Sequence, residues 1–144
     1  MLFIPRYPII SERERMFSKT TRYALWVLVA LAESSPRGYL QSRGLAQRLR
    51  IPGPYLAKIL YTLSKHDVLE SGRGRTGGYR LKRSAGSLSL KTLIGIFEPE
   101  SLSPICIVGN PECPGASCRQ HRGWQEMQSN FLAAMEETTI ADLS

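Results

Sequence analysis

Pro54-Tyr-Leu-Ala-Lys-Ile-Leu-Tyr-Thr-Leu-Ser-Lys, followed by Val68-Leu-Glu-Ser, Gly72-Arg-Gly-Arg-Thr-Gly-Gly and Tyr79-Arg-Leu-Lys, is the stretch that decides the fold. Tyr55, Leu56, Ile59, Leu60 and Leu63 recur at helical spacing, and Pro54 suits a first helical turn, where its missing N–H costs nothing. The other face carries Lys58, Tyr61, Thr62 and Lys65. The next segments read as two short strands around a glycine-rich loop, so a β-hairpin presents Arg73 and Arg75 at its tip.

Upstream, Ser42 to Leu49 fits a shorter helix with Leu45, Ala46 and Leu49 on one face, stopped by Pro52-Gly-Pro. Before it, Ser18 or Thr20 can cap a helix through Tyr23-Ala-Leu-Trp-Val-Leu-Val-Ala-Leu-Ala to about Glu33. That helix is apolar nearly all round, hence central. Two helices and a tight turn, the second helix basic on its outer face, make a helix-turn-helix whose second helix can enter a major groove. The following hairpin is a wing, and an arginine at its tip suits a narrow minor groove. The expected DNA contacts are Tyr55, Lys58, Thr62 and Lys65 on the helix, with Arg73 and Arg75 on the wing. The bland alternative is a helical hairpin with a solvated face. A phosphate-binding loop is disfavoured because no G-K-[ST] ending follows the glycines.

The net charge of +7 is unevenly spread. Residues 16–86 hold thirteen Lys or Arg against three acidic residues, a net of +10; residues 87–144 hold three against seven, a net of −4; residues 1–15 add +1. A basic block followed by an acidic one suggests a polyanion-binding part joined to a sensing or assembly part. The expected organisation is therefore an extension over 1–15, a winged helix-turn-helix over 16–86, and a cysteine loop with a dimerisation helix over 87–144.

Cys106, Cys113, Cys118 and His121 fall within sixteen residues of a chain with no other cysteine and one other histidine, His66. Proline, glycine, asparagine and serine surround them, which suits a loop wrapped around an inorganic centre better than buried apolar thiols. Thiolates with an imidazole suit zinc or an iron–sulfur cluster, and the residues alone leave both open. Three cysteines cannot all pair in disulfides. The apolar Met1 to Ile10 lacks a basic start and is interrupted by Pro5 and Pro8, which argues against a secretory signal. The longest apolar run, Tyr23 to Ala32, is too short to span a bilayer. A cytoplasmic protein without a membrane anchor is expected. After the loop, Trp124, Met127, Phe131 and Met135 form a stripe that must bury itself in the domain's own core or against a partner's equivalent helix.

These segments carry a resemblance. From Met16 to Leu143 the chain resembles the winged-helix regulators of the IscR and NsrR type, which are iron–sulfur cluster regulators. Ser18-Lys-Thr-Thr-Arg-Tyr-Ala-Leu resembles the family's start, Pro54-Tyr-Leu-Ala-Lys-Ile-Leu its recognition helix, Gly77-Gly-Tyr its wing and Thr139-Ile-Ala-Asp-Leu its close. The resemblance implies a transcription factor, homodimeric through its long C-terminal helix on a palindromic site in double-stranded DNA, with a cluster that tunes DNA binding. It implies Cys106, Cys113 and Cys118 as cluster ligands and His121, with Trp124 behind it, as the fourth, which fits [2Fe-2S]. Here six and four residues separate the sulfurs, where the histidine-bearing members have equal gaps. Arg22 stands where NsrR-like members have a ligating aspartate, Ala57 where some members discriminate site classes with a glutamate, and Arg73 at the family's wing arginine.

The fold class expected is mainly α with a small β-hairpin wing and a long C-terminal dimerisation helix. Enzymatic function is not expected: the only Cys/His constellation suits metal better than nucleophilic catalysis. An electron-transfer protein would not need the basic wing. The competing reading is a winged-helix regulator with a structural zinc, or with cluster-free thiol-based redox sensing.

Overall fold

A computed structural model of the chain describes residues 16–34, 38–102, 106 and 108–144. The expected extension over residues 1–15 lies outside the described residues. Helix α1, Lys19–Ser34, starts where the Ser18 hydroxyl accepts from the Thr21 N–H at 3.2 Å, so Ser18 is the cap. Ala24, Val27 and Leu28 are fully buried, and α1 packs against four of the other helices and one strand. Burial of a side chain the size of Leu28 contributes about 1.5–3 kcal/mol.

Helix α2, Ser42–Leu49, and helix α3, Gly53–Lys65, form the helix-turn-helix. The stop between them differs in detail from expectation. Arg50 turns left-handed at φ 53°, before Pro52, and the Ile51 N–H reaches back to the Ala46 carbonyl at 3.1 Å. A left-handed non-glycine residue costs about 1–2 kcal/mol; Ile51, 3% exposed, plugs the turn and offsets that cost. Leu56, Ile59, Leu60 and Leu63 carry the buried face of α3.

Strands β1, Leu69–Gly72, and β2, Gly78–Leu81, pair antiparallel with Leu69 opposite Leu81 and Gly72 opposite Gly78. Helix α4, Leu90–Phe97, follows, with the Ser89 hydroxyl accepting from the Thr92 N–H. A 3-10 turn, Pro99–Leu102, leads to the cysteine loop. Helix α5, Arg119–Glu137, runs nineteen residues, and the short α6, Ile140–Leu143, ends the chain behind a Thr139/Asp142 capping box. Ile140 is fully buried, and its N–H bonds to the Leu88 carbonyl at 2.9 Å. One hydrophobic cluster thus joins α1, α3, α4 and α6 across residue 86. The fold is a mainly helical winged helix-turn-helix with a two-stranded wing and a long C-terminal helix. No described helix is long and apolar enough to cross a membrane.

Candidate nucleic-acid interface and cysteine loop

The outer face of α3 exposes Lys58, Tyr61 and Lys65 in one stripe, with Tyr61 68% exposed. Tyr55 stands differently. It is half-buried, its hydroxyl shares a short hydrogen bond with the Thr20 hydroxyl, and its ring meets Tyr23 edge-on at 5.5 Å. Thr62 is also half-buried, and its hydroxyl donates to the Lys58 carbonyl at 2.9 Å. Lys58 and Lys65 are therefore open to solvent, while Tyr55 ties α3 to the first turn of α1. Helical spacing puts Tyr61 on the outer face, but only the packing of Tyr55 against α1 shows Tyr61 to be the more exposed aromatic of the two.

On the wing, Arg73 and Arg75 are exposed around Gly74, whose φ of +89° favours glycine. Neither arginine, nor Lys58 or Lys65, has an acidic partner among the described residues. Their neighbours are committed to the fold: Arg80 pairs with Glu70, Arg48 with Glu33, and Lys82 with Asp67 at 2.8 Å. The hydrogen bond from Arg80 to Glu70 raises the guanidinium's pKa, and the bond from Lys82 lowers that of Asp67. Exposed cations without an acidic partner can neutralise phosphates without first breaking an ion pair.

The cysteine loop turns through Gly109 and Gly115, at φ +67° and +63°. The Asn110 side chain accepts from the Glu112 N–H at 3.0 Å, and Cys118 stands at the N-cap of α5. His121, one turn into α5, brings its Nδ1 to 3.7 Å from the Cys113 Sγ. Cys106 and Cys113 lie near enough for each thiol to influence the other's proton affinity. Backbone N–H groups of Asn110 and Val108 directed at Cys106 hold its thiol below the usual range. The Gly115 amide favours the Cys113 thiolate, but burial and the adjacent Cys106 and Cys118 outweigh it and push that thiol up. Among the described residues no three of these side chains converge on one metal-sized centre. The loop brings Cys113 to His121 and near Cys106, with Cys118 near enough to Cys113 for their charges to interact. As a donor set, three thiols and an imidazole, with amides on one sulfur, suit an iron–sulfur cluster or zinc. His66, at the C-cap of α3, lies outside this group.

A buried carboxylate joins the segment leading into this loop to the start of α1, and no local pattern in the sequence marks it. Glu98, 8% exposed, accepts from the Ser18 N–H at 2.7 Å, from the Thr21 hydroxyl and, at 3.4 Å, from the Ser101 hydroxyl. Burial pushes its pKa up, but the bonds from Ser18 and Thr21 prevail and hold the carboxyl below its ordinary value. A charge at the start of α1 is also favoured by the helix dipole.

Helix α5 buries no residue fully along its nineteen. Of the stripe, Phe131 meets Phe17 at 6.3 Å between ring centroids, Trp124 and Met135 are half-buried, and Met127 is 56% exposed. The stripe thus serves the chain's own α1 segment at Phe131 and faces outward at Met127.

Residues 17–144 match the Rrf2 family model, described as an iron-dependent transcriptional regulator. A Synechocystis sp. protein classed among the HTH-type transcriptional regulators is 31% identical over 123 residues, 85% of this chain and 83% of its own. The HTH-type transcriptional regulator IscR of Vibrio atlanticus is 27% identical over 123 residues, 85% of this chain and 70% of its own. Among solved structures, CymR, the global cysteine regulator of B. subtilis, superposes with a TM-score of 0.75 over 90% of this chain and 95% of its own, at 22% identity, a likeness of fold. With the helix-turn-helix, the wing and a family match that runs from Phe17 to the last residue, the chain belongs to the Rrf2 family of transcriptional regulators.

Proposed function

We propose that the protein is a homodimeric transcriptional regulator whose binding to a palindromic operator is controlled by a [2Fe-2S] cluster held by Cys106, Cys113, Cys118 and His121. The observation that carries this reading is the Cys113–His121 approach of 3.7 Å in a loop whose amides favour the Cys106 thiolate. When bound, such a cluster supplies a centre that oxidants, nitric oxide or iron shortage can modify or remove. The chain's own residues would pass that change on. The loop follows Ser101 and Glu98, Glu98 grips Ser18 and Thr21, and Thr20 of the same turn bonds to Tyr55 on α3. A rearranged loop therefore has a route of hydrogen bonds to the DNA-reading helix.

Residues 16–86 are assigned to DNA and residues 87–144 to cluster and dimer. Lys58, Lys65, Arg73 and Arg75 contact phosphates or base edges, while Tyr55 and Thr62 border the same face. Met127 and the rest of the Trp124, Met127, Phe131 and Met135 stripe meet the equivalent helix of a second copy, which would place two reading helices on two half-sites. The nearness of Cys106 to Cys113, with the Cys106 thiol held below its usual range, favours a second reading, in which these two thiols sense oxidants without a cluster. The test is operator selection from a random duplex library, then affinity with and without the metal centre and for Cys118→Ala. Control by the cluster predicts that loss of metal and Cys118→Ala change affinity alike. Unchanged affinity in both would refute it.

A further inference from the structure

The wing is held by a segment outside its own hairpin. Residues 39–41, leading into α2, run beside β2, and Leu40 and Tyr79 exchange backbone hydrogen bonds of 2.9 and 2.8 Å. The approach is so close that a Cβ on Gly78, at φ +141°, would stand 2.3 Å from the Leu40 carbonyl oxygen, so glycine is required there. Tyr39 braces the strands: its ring would meet a Cβ on Gly72 at 3.0 Å and carries the Arg80 guanidinium 4.7 Å from its centroid. One residue beyond Leu40, the Gln41 side-chain amide donates to the Arg75 carbonyl at 2.9 Å. Gln41 is also the N-cap residue of α2, although its side chain makes no cap hydrogen bond. That side chain is committed to the wing instead.

We infer that Gln41 is a positioning residue for DNA binding. Its amide fixes the Arg75 carbonyl, and through it the direction in which the Arg75 side chain leaves the wing. Because Gln41 begins α2 and α2 packs on α3, the wing tip and the reading helix are held in one frame. The task needs a donor at that distance. Methionine matches the length of glutamine and donates nothing, and asparagine is one methylene short. The inference rests on the proposed contact between the wing and DNA.

The experiment measures affinity for a fluorescently labelled A·T-rich duplex of about three helical turns, across a salt series, with thermal unfolding alongside. The proteins are the full chain and its Gln41→Met, Gln41→Ala, Arg75→Ala and Gln41→Ala/Arg75→Ala variants. Gln41→Met and Gln41→Ala should each weaken binding about two- to tenfold, the span of one net hydrogen bond. Their salt dependence should flatten by about one phosphate contact, with Tm unchanged. In the Arg75→Ala background, Gln41→Ala should add nothing. Wild-type affinity in Gln41→Met, or an equal loss from Gln41→Ala with and without the Arg75 side chain, would overturn the inference. Arg75→Ala binding like wild type would instead refute the wing contact, and no binding by the unaltered chain would refute the DNA-binding reading; either result removes the inference with it.

Discussion

Helices α1 to α3 and helix α5 solve the burial problem in opposite ways. The first three hide Leu28, Leu45, Leu56, Leu60 and Leu63 almost completely within one chain. Helix α5 is longer than any of them and hides nothing completely, leaving Met127 more than half exposed. An isolated helix is marginal in water without a packed face. The contrast separates helices that complete one chain's core from a helix whose apolar stripe stays partly uncovered, the surface that the proposed dimer would bury.

The largest expected effect concerns the DNA-reading side. If about six to ten phosphates are contacted, affinity should fall by about 10³ to 10⁵ between roughly 50 and 200 mM salt, measurable by fluorescence anisotropy. A flat salt response would remove the basic face from the account. Next comes a direct contrast of the two regions by chemical denaturation. Leu28→Ala should cost about 2–5 kcal/mol through the cavity it leaves, whereas Met127→Ala should shift the monomer's stability by no more than about 0.5 kcal/mol. Met127→Asp should instead raise the monomer fraction in sedimentation. Equal stability losses from Leu28→Ala and Met127→Ala would erase the distinction.

The junction between the regions gives a smaller, pH-dependent effect. Glu98→Ala should cost about 1–3 kcal/mol by orphaning the Ser18 N–H and the Thr21 hydroxyl. The carboxyl's pKa is lowered on folding, so its stabilisation is present above the unfolded value and is lost as pH falls through the lower folded one. Wild-type stability should therefore drop more steeply than that of Glu98→Gln as pH is lowered through the carboxylate range. Parallel stability curves would show that Glu98 does not hold the two halves together as a charge.

The helix-turn-helix was legible because its signals are local. Apolar spacing in α3, the Ser18 cap and the glycines flanking Arg73 and Arg75 each act within a few residues, and α2 and the wing strands fall within a residue of their expected bounds. Helix α4 was not legible: Thr92, Ile94, Gly95 and Ile96 are poor helix formers, and its helical state owes more to the burial of Leu93 and Ile94 than to propensity. Long-range pairs left no pattern either. Leu40 meets Tyr79, and Glu98 meets Ser18, across segments whose local sequence suggests nothing of the partner. In the cysteine loop, residue types pointed to soft donors, while how Cys106, Cys113 and Cys118 stand to one another depends on loop conformation that spacing does not fix.

The central claim is the cluster, and the direct measurement is the visible absorption spectrum of anaerobically purified protein, with iron, acid-labile sulfide and zinc quantified per chain. The account predicts a coloured protein with near-equal iron and sulfide, losing both in Cys113→Ala. A colourless protein that holds zinc, or no metal even after anaerobic reconstitution, would contradict it.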